Sequence, residues 1–241
     1  MNVYWLEQMQ VEVPQENDWL SASETACLSN MRIPKRRMDW RLGRWTAKRA
    51  LASWLHVPAH PLVFAKMEIR PASTGAPEVF LANKPANVSI SLSHRDARAM
   101  CALALSGAEL GCDLEMIEPH SDAFLADYFT PQEQALVAGT SAADRPRTLA
   151  LLWSSKESTL KALHTGLRVD TRCAIVSQVD PFVDRNGWSP LRVLYADNRV
   201  FHGWWQRTDS RLRTLVAHPR PEPPIPIRVP AYCSDRVTQC A

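Results

Sequence analysis

The chain is poor in glycine and lacks the glycine-rich loops that bind nucleotides. It has eight glycines in 241 residues, and they form neither a Gly-x-x-x-x-Gly-Lys nor a Gly-x-Gly-x-x-Gly motif. Such loops hold phosphates through backbone N–H groups in ordinary kinases and dinucleotide-binding enzymes. The sequence therefore excludes both of these classes.

Cys-x-x-Cys pairs and long apolar runs are also missing. The six cysteines are dispersed, and several lie in apolar runs as small core residues would: Cys27, Cys101, Cys112, Cys173, Cys233 and Cys240. We therefore expect a reducing, cytoplasmic environment. No basic segment followed by an apolar stretch opens the chain, and no run approaches the roughly 20 apolar residues of a membrane span. We expect neither a signal peptide nor a membrane partner.

The net charge of +3 is too small to indicate a polyanionic partner, but the basic residues are unevenly placed. Eight of them lie between Arg32 and Arg49, where Asp39 is the only acid. Apolar residues at spacings of three and four predict a helix from Arg37 to Leu55 with a basic face. Four basic residues share that face because they are separated by four, three and four positions: Arg37, Arg41, Arg44 and Lys48.

The middle of the chain changes to the period of a strand. Val88 to His94 alternates strictly between apolar residues and serines, which predicts a half-buried strand. Met100 to Leu105 is apolar enough for a central strand, and after a Ser-Gly turn we expect Leu110 to Ile117 as its hairpin partner. Further elements are predicted by capping and turn residues: helices from Ser121 to Tyr128, from Thr130 and from Pro146 to Leu163, and strands at Arg172–Val179, Leu191–Ala196 and Arg199–Trp205.

Two short stretches present acidic groups on one face. Asp113 and Glu115 lie two apart on a predicted strand, so both carboxylates leave the same side. Trp153, Glu157 and Lys161 are spaced by four, so a helix places them along one stripe. Mg²⁺ is usually bound by one or two carboxylates plus substrate phosphates, with a nearby lysine neutralising the remaining charge. The two stretches together predict a divalent metal beside a phosphate.

These residues resemble the 4′-phosphopantetheinyl transferase superfamily, in its longer single-chain type. That family is marked by a Gly-Arg helix, a Ser-x-Ser-His strand end, a Gly-x-Asp-x-Glu strand and a Trp-Ser-x-Lys-Glu-x-x-x-Lys helix. The corresponding residues, in the same order, are Gly43-Arg44, Ser91–His94, Gly111–Glu115 and Trp153–Lys161. The last two motifs combined are specific, whereas the first alone is weak.

The resemblance implies an α+β fold of two similar lobes related by a pseudo-twofold axis, each with a helix packed on a small, mostly antiparallel sheet. We expect an N-terminal lobe at residues 1–107, a C-terminal lobe at 108–218 and a proline-rich extended tail at 219–241. The implied activity is Mg²⁺-dependent transfer of the 4′-phosphopantetheine group from coenzyme A to a serine of an apo acyl or peptidyl carrier protein. We expect a monomer without a nucleic-acid partner.

The resemblance also implies residue roles. The metal ligands would be Asp113, Glu115 and Glu157. Glu157 is also the candidate base, and Lys161 is expected on the pyrophosphate. The expected contacts to coenzyme A are Arg37, Arg41, Arg44, Lys48, Ser93, His94, Lys156 and Lys161. The alternative for Asp113 and Glu115 is a solvated strand face, and for Glu157 with Lys161 a surface ion pair worth about 0.3–0.5 kcal/mol.

Other positions leave alternatives open. His94 could be a core histidine, and the stem of Lys156 could merely cover apolar surface. Glu133 fits a helix cap better than a site residue. Family members often carry Gly-Lys-Pro before the Ser-His strand, whereas this chain has Gly75-Ala76-Pro77, so Lys84 or the basic helix would have to supply that cation.

Two rival functions remain at this point. One is a nucleic-acid-binding protein that uses the helix between Arg32 and Arg49, with Trp40 and Trp45 as stacking surfaces. The other is a different Mg²⁺-dependent phosphoryl enzyme, such as a phosphohydrolase.

Overall fold

The structure is a computed structural model that describes residues 1–179, 183–229 and 231–232. In this part of the chain helices α1 to α6 span Ala22–Ser29, Pro34–Trp54, Pro61–Phe64, Asp122–Tyr128, Pro131–Ala138 and Arg145–Ala162. Strands β1 to β12 span Tyr4–Met9, Met67–Pro71, Pro77–Leu81, Lys84–Pro85, Val88–Arg95, Arg98–Leu105, Glu109–Met116, Ala174–Val179, Ser189–Tyr195, Val200–Thr208, Arg211–His218 and Ile225–Pro226. Most strands pair antiparallel, and the predicted α+β class is confirmed.

The first half of the chain supplies most of a four-stranded sheet with one long helix on it, and a separate three-stranded sheet of β2, β3 and β4. The strand order of the larger sheet is β12-β1-β6-β5, in which β12 comes from the tail, and α2 packs on β6, β1 and β5. Helix α2 begins with Pro34 at its first turn, where a missing N–H costs nothing, and it buries Leu42, Trp45 and Leu51. Each such side chain contributes about 1.5–3 kcal/mol of burial. The helix predicted from Arg37 is therefore confirmed and starts three residues earlier.

The second half repeats this plan with a sheet of order β7-β11-β10-β9-β8 and helix α6 on β7 and β11. The predicted caps are confirmed, because Ser121 accepts the N–H of Phe124, and Thr130 forms a capping box with Glu133. This arrangement is consistent with two lobes. The turn between β6 and β7 leads from one sheet to the other, near the proposed boundary at 107/108.

The predicted hairpin between Met100–Leu105 and Leu110–Ile117 is wrong. Strand β6 already pairs with β1 on one edge and β5 on the other, so it has no edge left for β7. Strand β7 instead pairs antiparallel with β11, with Asp113 opposite Thr214 and Glu115 opposite Leu212. The acidic strand therefore belongs to the second sheet.

The described residues of the proline-rich tail, 219–229 and 231–232, contain no helix and return to the first lobe. Strand β12 pairs parallel with β1. The centre of the Tyr232 ring lies 4.8 Å from that of Trp45 and 5.8 Å from that of Phe64. Pro230, Cys233 and Cys240 lie outside the described residues. The four cysteines within the described residues are free thiols: Cys27, Cys101, Cys112 and Cys173. Among the helices that the structure describes, none combines the length and apolarity needed to cross a membrane.

A buried lysine ties the first lobe together. The Lys48 ammonium is fully buried, forms an ion pair with Glu24, and donates to the carbonyls of Trp19 (3.0 Å) and Phe64 (2.9 Å). The other carboxylate oxygen of Glu24 accepts the backbone N–H of Ile69 at 3.2 Å. A buried charge is tolerated only when it is paired and hydrogen-bonded in this way.

The second lobe contains the same arrangement. The Lys156 ammonium is also fully buried, lies 2.8 Å from a Glu133 carboxylate oxygen, and donates to the carbonyls of Thr171 (3.1 Å) and Ala174 (2.6 Å). Glu133 accepts the N–H of Val176 at 3.2 Å. In both lobes the glutamate belongs to the capping box of a short helix and the lysine to the long helix. These matching contacts support the two-lobe plan, while the pseudo-twofold axis itself stays a prediction.

Candidate functional site

The two sheets meet where β5 runs beside β7, and serine hydroxyls form the seam. The Ser91 hydroxyl accepts the N–H of Cys112 at 3.0 Å, and the Ser93 hydroxyl accepts the N–H of Leu114 at 3.3 Å. Strand β7 pairs with β11 on its other side, so these hydroxyls satisfy backbone donors that would otherwise be unpaired. Ser91 and Ser93 of β5 are therefore part of the contact between the two sheets.

Gly111 lets helix α6 approach this seam. A Cβ at Gly111 would lie 1.8 Å from the Ser158 carbonyl oxygen and 2.8 Å from the Ala162 nitrogen. Only glycine fits such a close approach of two backbones. The hydroxyls of Ser154 and Ser158 also bond to the Thr214 hydroxyl of β11, at 2.8 and 2.6 Å. This close packing places the end of α6 beside the carboxylates of β7.

The resulting cleft lies between the lobes and has a volume of about 780 Å³. Strands β5 and β7, helix α6 and one side of α2 supply its walls. Its charged and polar lining consists of Lys35, Arg36, Asp39, Arg44, Ser93, His94, Arg95, Asp113, Glu115, Glu157 and Lys161. Two motifs from each lobe thus reach one space.

Asp113 is the centre of the hydrogen-bond network in the cleft. Its Oδ1 accepts from the Lys161 ammonium at 2.6 Å and from the Ser93 hydroxyl at 2.8 Å, and Lys161 lies 3.0 Å from Ser93. Asp113 is 2% exposed, yet its Oδ2 has no hydrogen-bond partner among the described residues. A buried carboxylate oxygen without a partner is costly, and it is an open acceptor for a ligand.

Crowded carboxylates perturb the titration of this cleft. Burial and the nearby Asp113 raise the pKa of Glu115 to about 7, opposed by the guanidinium of Arg95. Burial and Asp113 likewise raise the pKa of Glu157, opposed by Lys161 at 3.5 Å. Burial alone would lower the pKa of Lys161, but the carboxylates of Asp113 and Glu157 outweigh it and raise that pKa. The cleft therefore favours additional positive charge.

The donor set fits a hard divalent cation. Asp113 offers a free buried oxygen, and Glu115 and Glu157 line the same cleft with carboxylates that repel one another. Oxygen donors of this kind are the ligands that Mg²⁺ prefers. In the described part of the chain, however, no group of three or more acidic, histidine or cysteine side chains is gathered into a ready metal site. Ammonium and guanidinium groups pair with these carboxylates instead.

Three of the four predicted phosphate contacts on α2 do not line the cleft. Arg37 donates to the carbonyls of Leu28 and Met31, Arg41 donates to the carbonyls of Pro14, Gln15 and Glu16, and Lys48 is buried on Glu24. These three side chains therefore bond to other parts of the protein and not to the cleft. Of the four, Arg44 does line the cleft, with its guanidinium 4.7 Å from the centre of the Trp40 ring.

Lys156 also lies elsewhere. The prediction that it contacts coenzyme A conflicts with its complete burial against Glu133 and two backbone carbonyls. The alternative reading of Glu133 as a helix cap agrees with its contacts. Both residues are therefore structural.

Ser93 and His94, the predicted contacts to coenzyme A, both line the cleft, and the residue after them was missed. His94 is exposed, so it is not a core histidine. Arg95 reaches the mouth of the cleft, where it pairs with Glu115 and Glu118. Lys35 and Arg36 at the start of α2 also line the cleft. Their place at the strand end and the helix start was the available signal.

The loop with Gly75-Ala76-Pro77 borders a second cavity of about 530 Å³, which shares Leu92 and Lys161 with the cleft. Arg168 also lines this cavity and donates to the Thr74 carbonyl at 2.7 Å. Lys84 is exposed on β4 and lines neither cavity. A cation beside this loop thus comes from the other lobe.

One comparison with known proteins agrees with the motifs of the second lobe. Residues 109–197 match the family model of the 4′-phosphopantetheinyl transferase superfamily. The match covers less than half of the chain and includes the acidic strand β7 and helix α6, whereas Arg44 and Ser93 lie before it. A search of curated proteins finds no significant match. Residues 109–197 thus carry a domain of the 4′-phosphopantetheinyl transferase superfamily.

Proposed function

We propose that the protein transfers the 4′-phosphopantetheine group of coenzyme A to a serine of an apo acyl or peptidyl carrier protein. The observation that carries the proposal is the inter-lobe cleft, which joins three carboxylates and Lys161 of the superfamily domain to basic residues of the first lobe. Carboxylates and cations in one cleft suit a reaction at a pyrophosphate, which has high negative charge. We further propose a cytoplasmic monomer with the 107/108 lobe boundary.

Cations of the cleft would bind the phosphates of coenzyme A. Arg44, Lys35 and Arg36 line it from α2, His94 from β5, and Lys161 from α6. Arginine can hold a phosphate with two parallel hydrogen bonds, whereas Lys161 acts as a compact charge. We assign no substrate contact to the cations whose hydrogen bonds are all to other parts of the protein: Arg37, Arg41, Lys48 and Lys156.

Asp113, Glu115 and Glu157 would hold Mg²⁺. When bound, the ion would neutralise pyrophosphate charge and stabilise the charge that develops on the leaving oxygen. The free Oδ2 of Asp113 supports this role. Lys161 and Ser93 keep Asp113 in one rotamer by occupying its Oδ1.

Glu157 is the proposed general base. The carrier serine oxygen attacks the pantetheine-side phosphorus, the bond to the leaving adenosine 3′,5′-bisphosphate breaks, and the serine proton passes to Glu157 directly or through water. A base is most effective when its pKa lies near the working pH, and burial beside Asp113 raises that of Glu157. Proton removal of this kind typically contributes about 10²- to 10⁴-fold.

The test is the intact mass of an apo carrier protein after incubation with the protein, coenzyme A and Mg²⁺. We expect a gain of one phosphopantetheine group, lost with Glu157→Ala or chelator and retained with Glu222→Ala, which removes an exposed carboxylate from the tail. No gain with any of several acyl and peptidyl carriers, together with no binding of coenzyme A, would overturn the proposal.

The nucleic-acid alternative has less support. Trp45 is 2% exposed and cannot stack on a base, and several cations of α2 are committed to internal partners. Retention on a nucleic-acid column that falls steeply with salt would favour it. A phosphohydrolase would instead release product without any carrier protein.

A further inference from the structure

Arg95 stands at the mouth of the cleft between two acidic residues. Its Nε lies 3.6 Å from Glu115 Oε2, and its Nη2 contacts Glu118. The Arg95 side chain is 42% exposed, that of Glu118 46%, and that of Glu115 16%. Arg95 thus joins a carboxylate inside the cleft to one at its rim.

The charged side chains of the cleft form separate ion pairs. Lys161 pairs with both Asp113 and Glu157. In the residues that the structure describes, the ion pair of Glu115 is with Arg95. A divalent cation that binds Glu115 therefore competes with a guanidinium for the same oxygens.

We propose that Arg95 exchanges partners during loading: it holds Glu115 in the free protein, yields it to the metal, and then binds a phosphate oxygen of coenzyme A. The inference rests on the proposed function. Arg95 would then be a substrate-binding residue that the family motifs do not include.

Glu118 keeps Arg95 beside the cleft during this exchange. A guanidinium has five N–H donors in a rigid fork, so Arg95 can keep its bond to Glu118 while another edge turns from a carboxylate to a phosphate. The contact with Glu115 is long for a hydrogen bond, which indicates an ion pair that is easily given up. The contact with Glu118 keeps the released charge at the mouth of the cleft, beside the bound phosphates.

The exchange predicts effects of opposite sign on two ligands. Arg95→Gln removes the competitor for Glu115, so without coenzyme A the Kd for Mn²⁺, used as a probe for Mg²⁺, should fall about two- to fivefold, as expected for a half-exposed ion pair. With metal present, the Kd for coenzyme A should rise at least about tenfold, as expected for a lost charge-assisted hydrogen bond. Glu118→Gln leaves Arg95 with Glu115 alone and should raise the Kd for Mn²⁺.

Titration calorimetry with Mn²⁺ and with coenzyme A tests the exchange. The proteins compared are the wild type, Arg95→Gln, Glu118→Gln and the control Arg172→Gln. Arg172 is an exposed arginine paired with Asp170 outside the cleft, so its variant should match the wild type for both ligands. If the wild type binds Mn²⁺ and coenzyme A while Arg95→Gln binds both equally well, the exchange is refuted and the proposed function stands. If the wild type binds neither ligand, the proposed function and the exchange both fail.

Discussion

Replacing Gly111 by alanine should separate helix α6 from strand β7. The new Cβ would lie 1.8 Å from the Ser158 carbonyl oxygen, so the backbones must move apart by about 1.6 Å to reach the 3.4 Å of ordinary contact. Overpacking typically costs about 1–3 kcal/mol, and against rigid backbone we expect the upper value, about 3 kcal/mol. For a chain of this size that cost corresponds to a fall in Tm of about 6–12 °C. The same movement carries Glu157 and Lys161 away from Asp113, and a misplacement of about 1 Å can cost about 100-fold in rate.

Gly203→Ala is the matched control for this substitution. A Cβ at Gly203 on β10 would lie 2.2 Å from the Leu215 carbonyl oxygen, yet Gly203 does not line the cleft. Thermal unfolding of both variants should show a similar loss of stability. Carrier modification, measured well below each Tm, should be lost in Gly111→Ala and kept in Gly203→Ala. Wild-type stability in Gly111→Ala, or wild-type transfer by the folded variant, would refute the close-approach argument.

Two further predictions concern buried and crowded charges. Lys156→Met leaves Glu133 buried without its cation, so the free energy of unfolding, measured with urea, should fall by about 3–5 kcal/mol. Lys48→Met should have the same effect in the first lobe. A loss of less than about 1 kcal/mol would show that these pairs are not structural. In metal-free protein the pKa of Glu115 is raised from 4.5 to about 7, so the folded state holds more protons than the unfolded state in this window and stability should fall as the pH rises through it. Urea midpoints at several pH values should show a smaller fall in Glu115→Gln, and the same slope in both proteins would contradict the shift.

Local signals in the sequence predicted most of the elements correctly. The capping box at Thr130, the N-cap at Ser121 and the apolar spacing of α2 each depend on residues within a few positions of one another. The same holds for Asp113 and Glu115, because the two-residue period of a strand places both side chains on one side. Both line the cleft in the structure. Structure set by neighbouring residues was therefore accessible to prediction.

Long-range pairing was not accessible. The short turn after β6 favoured a hairpin, yet β7 pairs with β11, about a hundred residues later in the chain. No local pattern states that both edges of β6 are occupied by β1 and β5. Strand β11 was itself missed, although it is the partner that holds the acidic strand in the second sheet.

The orientation of α2 shows why a shared face does not identify a ligand site. The predicted stripe of Arg37, Arg41, Arg44 and Lys48 does form one face, but it meets carbonyls and Glu24. Only Arg44 of this stripe lines the cleft, whereas Arg36, Trp40 and Gly43, which line it too, form a neighbouring stripe offset by about one residue, or about 100°. Periodicity fixes relative positions on a helix, while the direction that the helix turns to the cleft depends on its packing.

Helical geometry alone separates the two lysines of α6. Lys156 and Lys161 are five positions apart, and at about 100° per residue their directions differ by about 140°. A single ligand on one side of the helix could not contact both, so only one of them could serve the proposed reaction. The structure decides which, because Glu157 shares the stripe of Lys161 while Lys156 faces the capping glutamate of the second lobe. The Lys-Glu pair that is adjacent in sequence is thus divided between two tasks: Lys156 stabilises the fold, and Glu157 belongs to the cleft.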